Sequence, residues 1–163
     1  MTETIGSREK HEEPSSISRY LAQKHETLKN DYKTPDGKFM ESCGLLALDA
    51  AKALIDDGKM PYTVAFLGKE TPNPYVRTNA WLVPQQFGGR VSWGAHVVCV
   101  CDGFVYDPMV GVPISLETYA QDVFGTKEVK MEILDTEEET ARLVERRRAS
   151  KKISTDSPER NIQ

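Results

Sequence analysis

The sequence is poor in cysteine, in aromatic residues and in long apolar runs. It holds three cysteines in 163 residues. The number is odd, and two of them, Cys99 and Cys101, are separated by one residue. A disulfide framework is therefore not expected, and a reducing compartment is. No run approaches the roughly 18 apolar residues of a membrane span, so no membrane association is expected. The start, "MTETIGSREKHEEPSSIS", lacks the apolar stretch of a secretory signal. The expected location is the cytoplasm, with delivery into a host cytosol as the alternative. There is no excess of basic residues: the net charge is −4, so nucleic acid is not an expected partner. Internal repeats are absent too.

What is present suits one domain. Residues 1–15 are polar and charged with almost no apolar anchor, and are expected to be disordered. Residues 16–150 are expected to form one core, and 151–163 a loose tail. Within the domain, "SSISRYLAQKHETLKN" reads as a helix capped by Ser15 or Ser16, with Ile17, Tyr20, Leu21, Lys24 and Leu28 as its stripe. "DYKTPDGKFMES" reads as a loop. "CGLLALDAAKALIDDG" is the strongest helix, stopped by Gly58. Strands are predicted for "YTVAFLG", "TNAWLVP" and "KEVKMEIL". "SLETYAQDVFG" reads as a short helix between Ser115 and Gly125. "TEEETARLVERRRASKK" has acidic residues first and basic residues last, as a helix dipole favours. Helices first and hairpin-linked strands afterwards predict an α+β fold with an antiparallel sheet.

The stretch "SWGAHVVCVCDGFVYDP", residues 92–108, concentrates the chemistry. Asp102-Gly103 between two apolar runs predicts a tight hairpin, because a type I′ turn needs positive φ at both central residues. Its register pairs Cys101 with Phe104, Val100 with Val105 and Cys99 with Tyr106. His96, Val98, Val100, Val105 and Asp107 then share one face, and Val97, Cys99, Cys101, Phe104 and Tyr106 the other. His96 and Asp107 become diagonal neighbours, with Cβ atoms roughly 7 Å apart. Cys99 and Cys101 face away, so they read as small buried hydrophobes and not as metal ligands with His96. No cofactor and no metal is expected. His96 alone could equally be a strand histidine bonded to a backbone carbonyl. His11, in the loose start, and His25, in a charged helix, are poorer candidates for chemistry.

A His–Asp pair needs a third group to activate. Cys43 opens the long helix, where unpaired N–H groups and the positive dipole end stabilise a thiolate. The same N–H groups could serve as oxyanion donors. At 100° per residue, Leu46, Ala47, Ala50 and Leu54 lie on its side, which turns the thiol toward the sheet. Cys43, His96 and Asp107 together form a Cys-His-Asp arrangement, in which His takes the thiol proton and Asp fixes the tautomer. Gln85 and Gln86, and the basic "ERRRASKK", read as solvated residues.

The order of these residues resembles the papain-like and transglutaminase-like superfamily, and "VYDP" at 105–108 is similar to the Asp-Pro segment of transglutaminase-like domains. The resemblance is closest to the protein N-terminal glutamine amidohydrolases. The matching islands are Ser42-Cys43, Trp93 to Val98, Val105-Tyr106-Asp107, and Thr118-Tyr119 with Asp122, spread over residues 40–125. The chain departs from that family after the cysteine, where Gly44-Leu45-Leu46-Ala47-Leu48 replaces Tyr-Cys-Glu-Glu-Asn, and before the histidine, where Gly94-Ala95 replaces Asp-Tyr. The resemblance implies a papain/transglutaminase-like α+β domain with its catalytic cysteine at the start of a core helix. It implies Cys43, His96 and Asp107 as catalytic residues and a glutamine carboxamide of a peptide or protein as substrate. Glutamine deamidases acting within proteins, as bacterial effectors do, share this chemistry. A protease or acyltransferase with the same triad, its groove in loops 68–79 and 84–92, is one alternative. A non-catalytic binding module is the other. The sequence leaves the oligomeric state open.

Overall fold

A computed structural model describes residues 15–32, 42–70, 80–88 and 92–156. The expectations for residues 1–14, most of the loop before Cys43, much of the two groove loops and residues 157–163 lie outside this set. Among the described residues are four helices and a five-stranded antiparallel sheet, an α+β architecture. The helices are α1 (Ser16–Tyr32), α2 (Cys43–Asp56), α3 (Tyr119–Phe124) and α4 (Glu137–Asp156). The strands are β1 (Tyr62–Gly68), β2 (Ala95–Cys101), β3 (Phe104–Tyr106), β4 (Ile114–Ser115) and β5 (Val129–Asp135). They lie in the order β4-β3-β2-β1-β5, each neighbouring pair antiparallel. None of the described helices is long and apolar enough to cross a membrane.

Local chemistry fixes the helix ends. Asp57, just past α2, accepts the N–H groups of Ser16 and Ile17 at 2.9 and 3.0 Å, so one carboxylate caps the start of α1. Ser15 also contributes, accepting from Ser18 N at 3.3 Å. The α2 helix ends at Gly58, whose φ of +81° lets Lys59 N reach Leu54 O and Gly58 N reach Ile55 O, both at 2.9 Å. Thr136 and Glu139 form a reciprocal cap at α4: the Glu139 N–H donates to Thr136 Oγ1, and the Thr136 hydroxyl donates to Glu139. The α4 helix runs on to Asp156, so the segment expected as tail from 151 begins inside it.

The sheet carries a core on each face. On one, α2 lays Ala47, Ala50, Ala51 and Leu54 against Cys99 and Cys101, with Ile17 and Leu21 of α1 and Val144 of α4 closing the layer. Truncating the fully buried Leu54 to alanine costs about 2–5 kcal/mol by the usual sum of lost transfer energy and cavity. Arg147 and Arg148 tie α4 to Asp49 and Asp56 of α2. These two arginines were expected in a solvated helix end; their acidic partners are supplied by the neighbouring helix. The other face packs Val64, Phe66, Val98, Val100 and Val105 under Tyr119, Val123 and Phe124.

Two expected elements differ. "TNAWLVP" is not a strand in its described part, residues 80–84: only Leu82 bridges Trp93, with N–H···O distances of 2.8 and 2.7 Å. Pro84 and the 3-10 turn Gln85–Phe87 end the pairing before a ladder can grow. The helix read as starting after Ser115 begins at Tyr119. Ile114 and Ser115 instead pair with Val105 and Phe104 as β4, and the Ser115 carbonyl accepts from Thr118 N at 3.2 Å.

Candidate functional site

The hairpin places the site. Asp102 and Gly103 both have positive φ, +50° and +80°, and the register is Cys99 to Tyr106, Val100 to Val105 and Cys101 to Phe104. This is the register expected from the Asp-Gly turn. It puts His96, near the start of β2, on the face away from α2, and brings Asp107 beside it just past the end of β3. Cys99 and Cys101 lie on the opposite face, in the core under α2. Both His96 and Asp107 are buried, at 2% exposure each.

His96 Nε2 donates to Asp107 Oδ2 at 2.8 Å. The carboxylate is otherwise fully engaged. Its Oδ1 accepts from Met109 N at 2.9 Å, an Asx-type turn that bends the chain after the strand. Its Oδ2 also accepts from the Tyr119 hydroxyl at 2.5 Å. The Asp107 backbone carbonyl takes Val110 N and Gly111 N, each at 3.0 Å. Burial works against the ionised carboxyl, but His96, Tyr119 and the Met109 N–H together hold it below the usual carboxylate range.

The imidazole sits in an aromatic frame. Trp93 stacks on it with centroids 4.3 Å apart and planes within 17°, and Phe124 meets it edge-on at 6.4 Å. Burial alone would disfavour the imidazolium. The charge and hydrogen bond of Asp107, with Cys43, outweigh it and raise His96 to about 9.

Cys43 is the first residue of α2, with Ser42 as N-cap accepting from Leu45 N at 3.3 Å. The expected stripe of Leu46, Ala47 and Ala50 is buried beside it, yet the thiol does not enter that core. It meets the strand start instead: Val97 N donates to Cys43 Sγ at 3.5 Å. The α2 helix covers the sheet face opposite His96, so the thiol reaches the imidazole at the strand end and not across the sheet. Partial burial raises the thiol pKa, but a hydrogen bond with His96, the Val97 and Gly44 N–H groups and the His96 charge lower it overall. Cys99 and Cys101 move the other way, pushed up chiefly by burial. With Nε2 held by Asp107, Nδ1 is the ring nitrogen left for Cys43.

Two contacts were not foreseen as parts of this site. Tyr119 is fully buried, with its ring on Phe66 at 5.1 Å and its hydroxyl on Asp107. The Thr118-Tyr119 island was the one signal for it. His25 Nδ1 donates to Pro108 O at 3.0 Å, bracing the turn that follows Asp107. Gln85 and Gln86 are exposed, but each spends its amide on backbone carbonyls: Gln85 on Val83 O and Phe124 O, Gln86 on Met109 O. Both hold loops in place around the site.

Comparison of the chain with protein-family models, with curated proteins and with solved structures returned no match.

Proposed function

We propose that the protein is a cysteine-dependent amidohydrolase that deamidates a glutamine carboxamide of a peptide or protein through a thioester, on a papain/transglutaminase-like scaffold. The observation that carries this reading is the placement of Cys43 at a helix N-terminus beside a buried imidazole whose other nitrogen is fixed by Asp107. The lowered thiol of Cys43 and the raised imidazole of His96 favour transfer of the thiol proton to the ring, as an activated nucleophile requires.

In this reaction Cys43 Sγ attacks the carboxamide carbon, forming the C–S bond and moving the carbonyl electron pair onto oxygen. The positive end of the α2 dipole, at whose first residue the thiol stands, stabilises that developing charge. Collapse breaks the C–N bond, and His96 gives its proton to the departing nitrogen, which leaves as ammonia. His96 then takes a proton from water as it attacks the thioester. Cleavage of the C–S bond yields glutamate and returns the proton to the Cys43–His96 pair. Asp107 stays ionised throughout and holds the ring.

The experiment is ammonia release from peptides carrying glutamine at the first position or internally, with a mass gain of about one dalton per converted amide, as the thioester route requires. Backbone cleavage without ammonia would identify a protease instead. Incorporation of a labelled amine would identify an acyltransferase. No turnover in any of these assays, with Cys43 unreactive, would leave a binding module.

A further inference from the structure

We propose that the protein is a homodimer in which two β5 strands pair antiparallel about a two-fold axis at Met131, joining two sheets into one. The proposal is independent of the chemistry at Cys43.

Among the described residues no strand lies beyond β5, which ends the sheet. An edge strand offers a row of backbone donors and acceptors, and most proteins blunt it. This one is seven residues long and carries three exposed large apolar side chains: Met131 at 44%, Ile133 at 64% and Leu134 at 52%. Its pairing with β1 is regular from Val129 to Ile133 and then shifts, leaving Leu134 without a partner in the register. The regularly paired stretch is therefore 129–133, and Met131 is its middle residue.

Charge selects the register. A two-fold axis perpendicular to the sheet keeps every residue on its own face, so one residue must sit on the axis. With Met131 there, Lys130 of each copy faces Glu132 of the other, Val129 faces Ile133, and Met131 faces itself. An axis at Lys130 sets lysine against lysine and Glu128 against Glu132. An axis at Glu132 sets glutamate against glutamate and Lys130 against Leu134. Axes further out pair fewer residues of the regular stretch. Opposite charges stabilise directly paired positions and like charges destabilise them. Only the central register matches both charge pairs and both apolar pairs.

The same register orders the two candidate sites. Phe66 on β1 is the direct partner of both His96 and Met131, so these three residues form one row across the sheet. Pairing at Met131 continues that row into the second copy. The two His96 residues then lie on one face of a continuous sheet, about 24 Å apart at five inter-strand spacings of ~4.8 Å.

Sedimentation velocity on the full chain, from micromolar to hundreds of micromolar, tests this with two charge variants. The wild type should shift from the 18.3 kDa chain mass toward twice that value. K130E and E132K each place like charges opposite one another and should dimerise about tenfold more weakly or worse. Mixing the two variants pairs glutamate with lysine at every charged position and should restore the dimer. Restoration in the mixture cannot come from the Lys130–Glu132 contact within one strand, which both variants lack. A wild type that stays at 18.3 kDa overturns the proposal. So does a dimer that K130E leaves intact, or a mixture that remains monomeric.

Discussion

Tyr119 and His96 donate to the same oxygen of Asp107, at 2.5 and 2.8 Å. The tyrosine hydroxyl therefore pins the carboxylate in the rotamer that the imidazole needs. Tyr119→Phe leaves the ring packing on Phe66 and Phe124 but removes the donor. A stability loss of about 1–2 kcal/mol is expected for a buried group that loses a partner. Turnover should fall by about tenfold, mostly in kcat, as for loss of about 1.4 kcal/mol of transition-state stabilisation. The pH profile should shift as well, because Asp107 sets the charge state of His96. A purely structural role would lower the melting temperature and leave that profile unchanged.

Truncation at the three central residues should give a graded series. Cys43→Ala and His96→Ala should each lose turnover by about 10^4-fold or more, since groups acting as a unit are not additive. Asp107→Asn keeps the shape and one acceptor, so its loss should be smaller, about 10^2-fold. Steady-state ammonia release measures all three, and circular dichroism checks that each variant folds. Full turnover in Cys43→Ala would exclude the thioester.

Gly111 tests the brace behind Asp107. Its φ is +88°, and a Cβ there would lie 2.6 Å from the His25 ring. Gly111→Ala should cost about 1–3 kcal/mol through the left-handed backbone alone, with the ring contact adding to it. Combining it with His25→Ala should recover the contact part and leave the backbone part. Urea denaturation of the four-member cycle measures the coupling between the two.

The hairpin geometry could be read from sequence because one turn sets it: Asp102-Gly103 allows a single tight loop, and alternation then puts His96 and Asp107 on one face. The helices at 16, 43 and 137 were equally readable from local signals at their ends, although the carboxylate of Asp57 that caps the first comes from beyond the second. The rest depends on contacts distant in sequence. "TNAWLVP" alternates well enough for a strand, yet its described part makes only isolated backbone contacts, Ala80 N to Lys69 O and the Leu82–Trp93 bridge. Ser115 looks like a cap, but the free edge of β3 claims it. Tyr119 reads as a helix-face aromatic, and its hydroxyl acquires meaning only when the fold delivers Asp107 to it. That Cys43 meets His96 at a strand end was likewise invisible, because α2 packs on the other face of the sheet.

Stability should depend on pH through His96. Its imidazole titrates near 6.5 when unfolded and is raised to about 9 in the fold. The stabilisation is complete below about 6.5 and is lost as pH climbs through about 9. The lowered thiol of Cys43 runs oppositely over part of this range, so the measurement belongs in Cys43→Ala. Urea unfolding of that variant should show stability falling from pH 6 to pH 9. Adding Asp107→Asn should flatten the slope.

Activation of Cys43 by His96 is tested most directly by the pH dependence of iodoacetamide alkylation, followed at each cysteine by mass spectrometry. Cys43 is expected to react at neutral pH, well ahead of Cys99 and Cys101, whose thiols are buried and raised. Its rate should level off below pH 9, and His96→Ala should move that plateau upward. A Cys43 rate that climbs about tenfold per pH unit up to pH 9, as an ordinary thiol does, and that His96→Ala leaves unchanged would contradict the account.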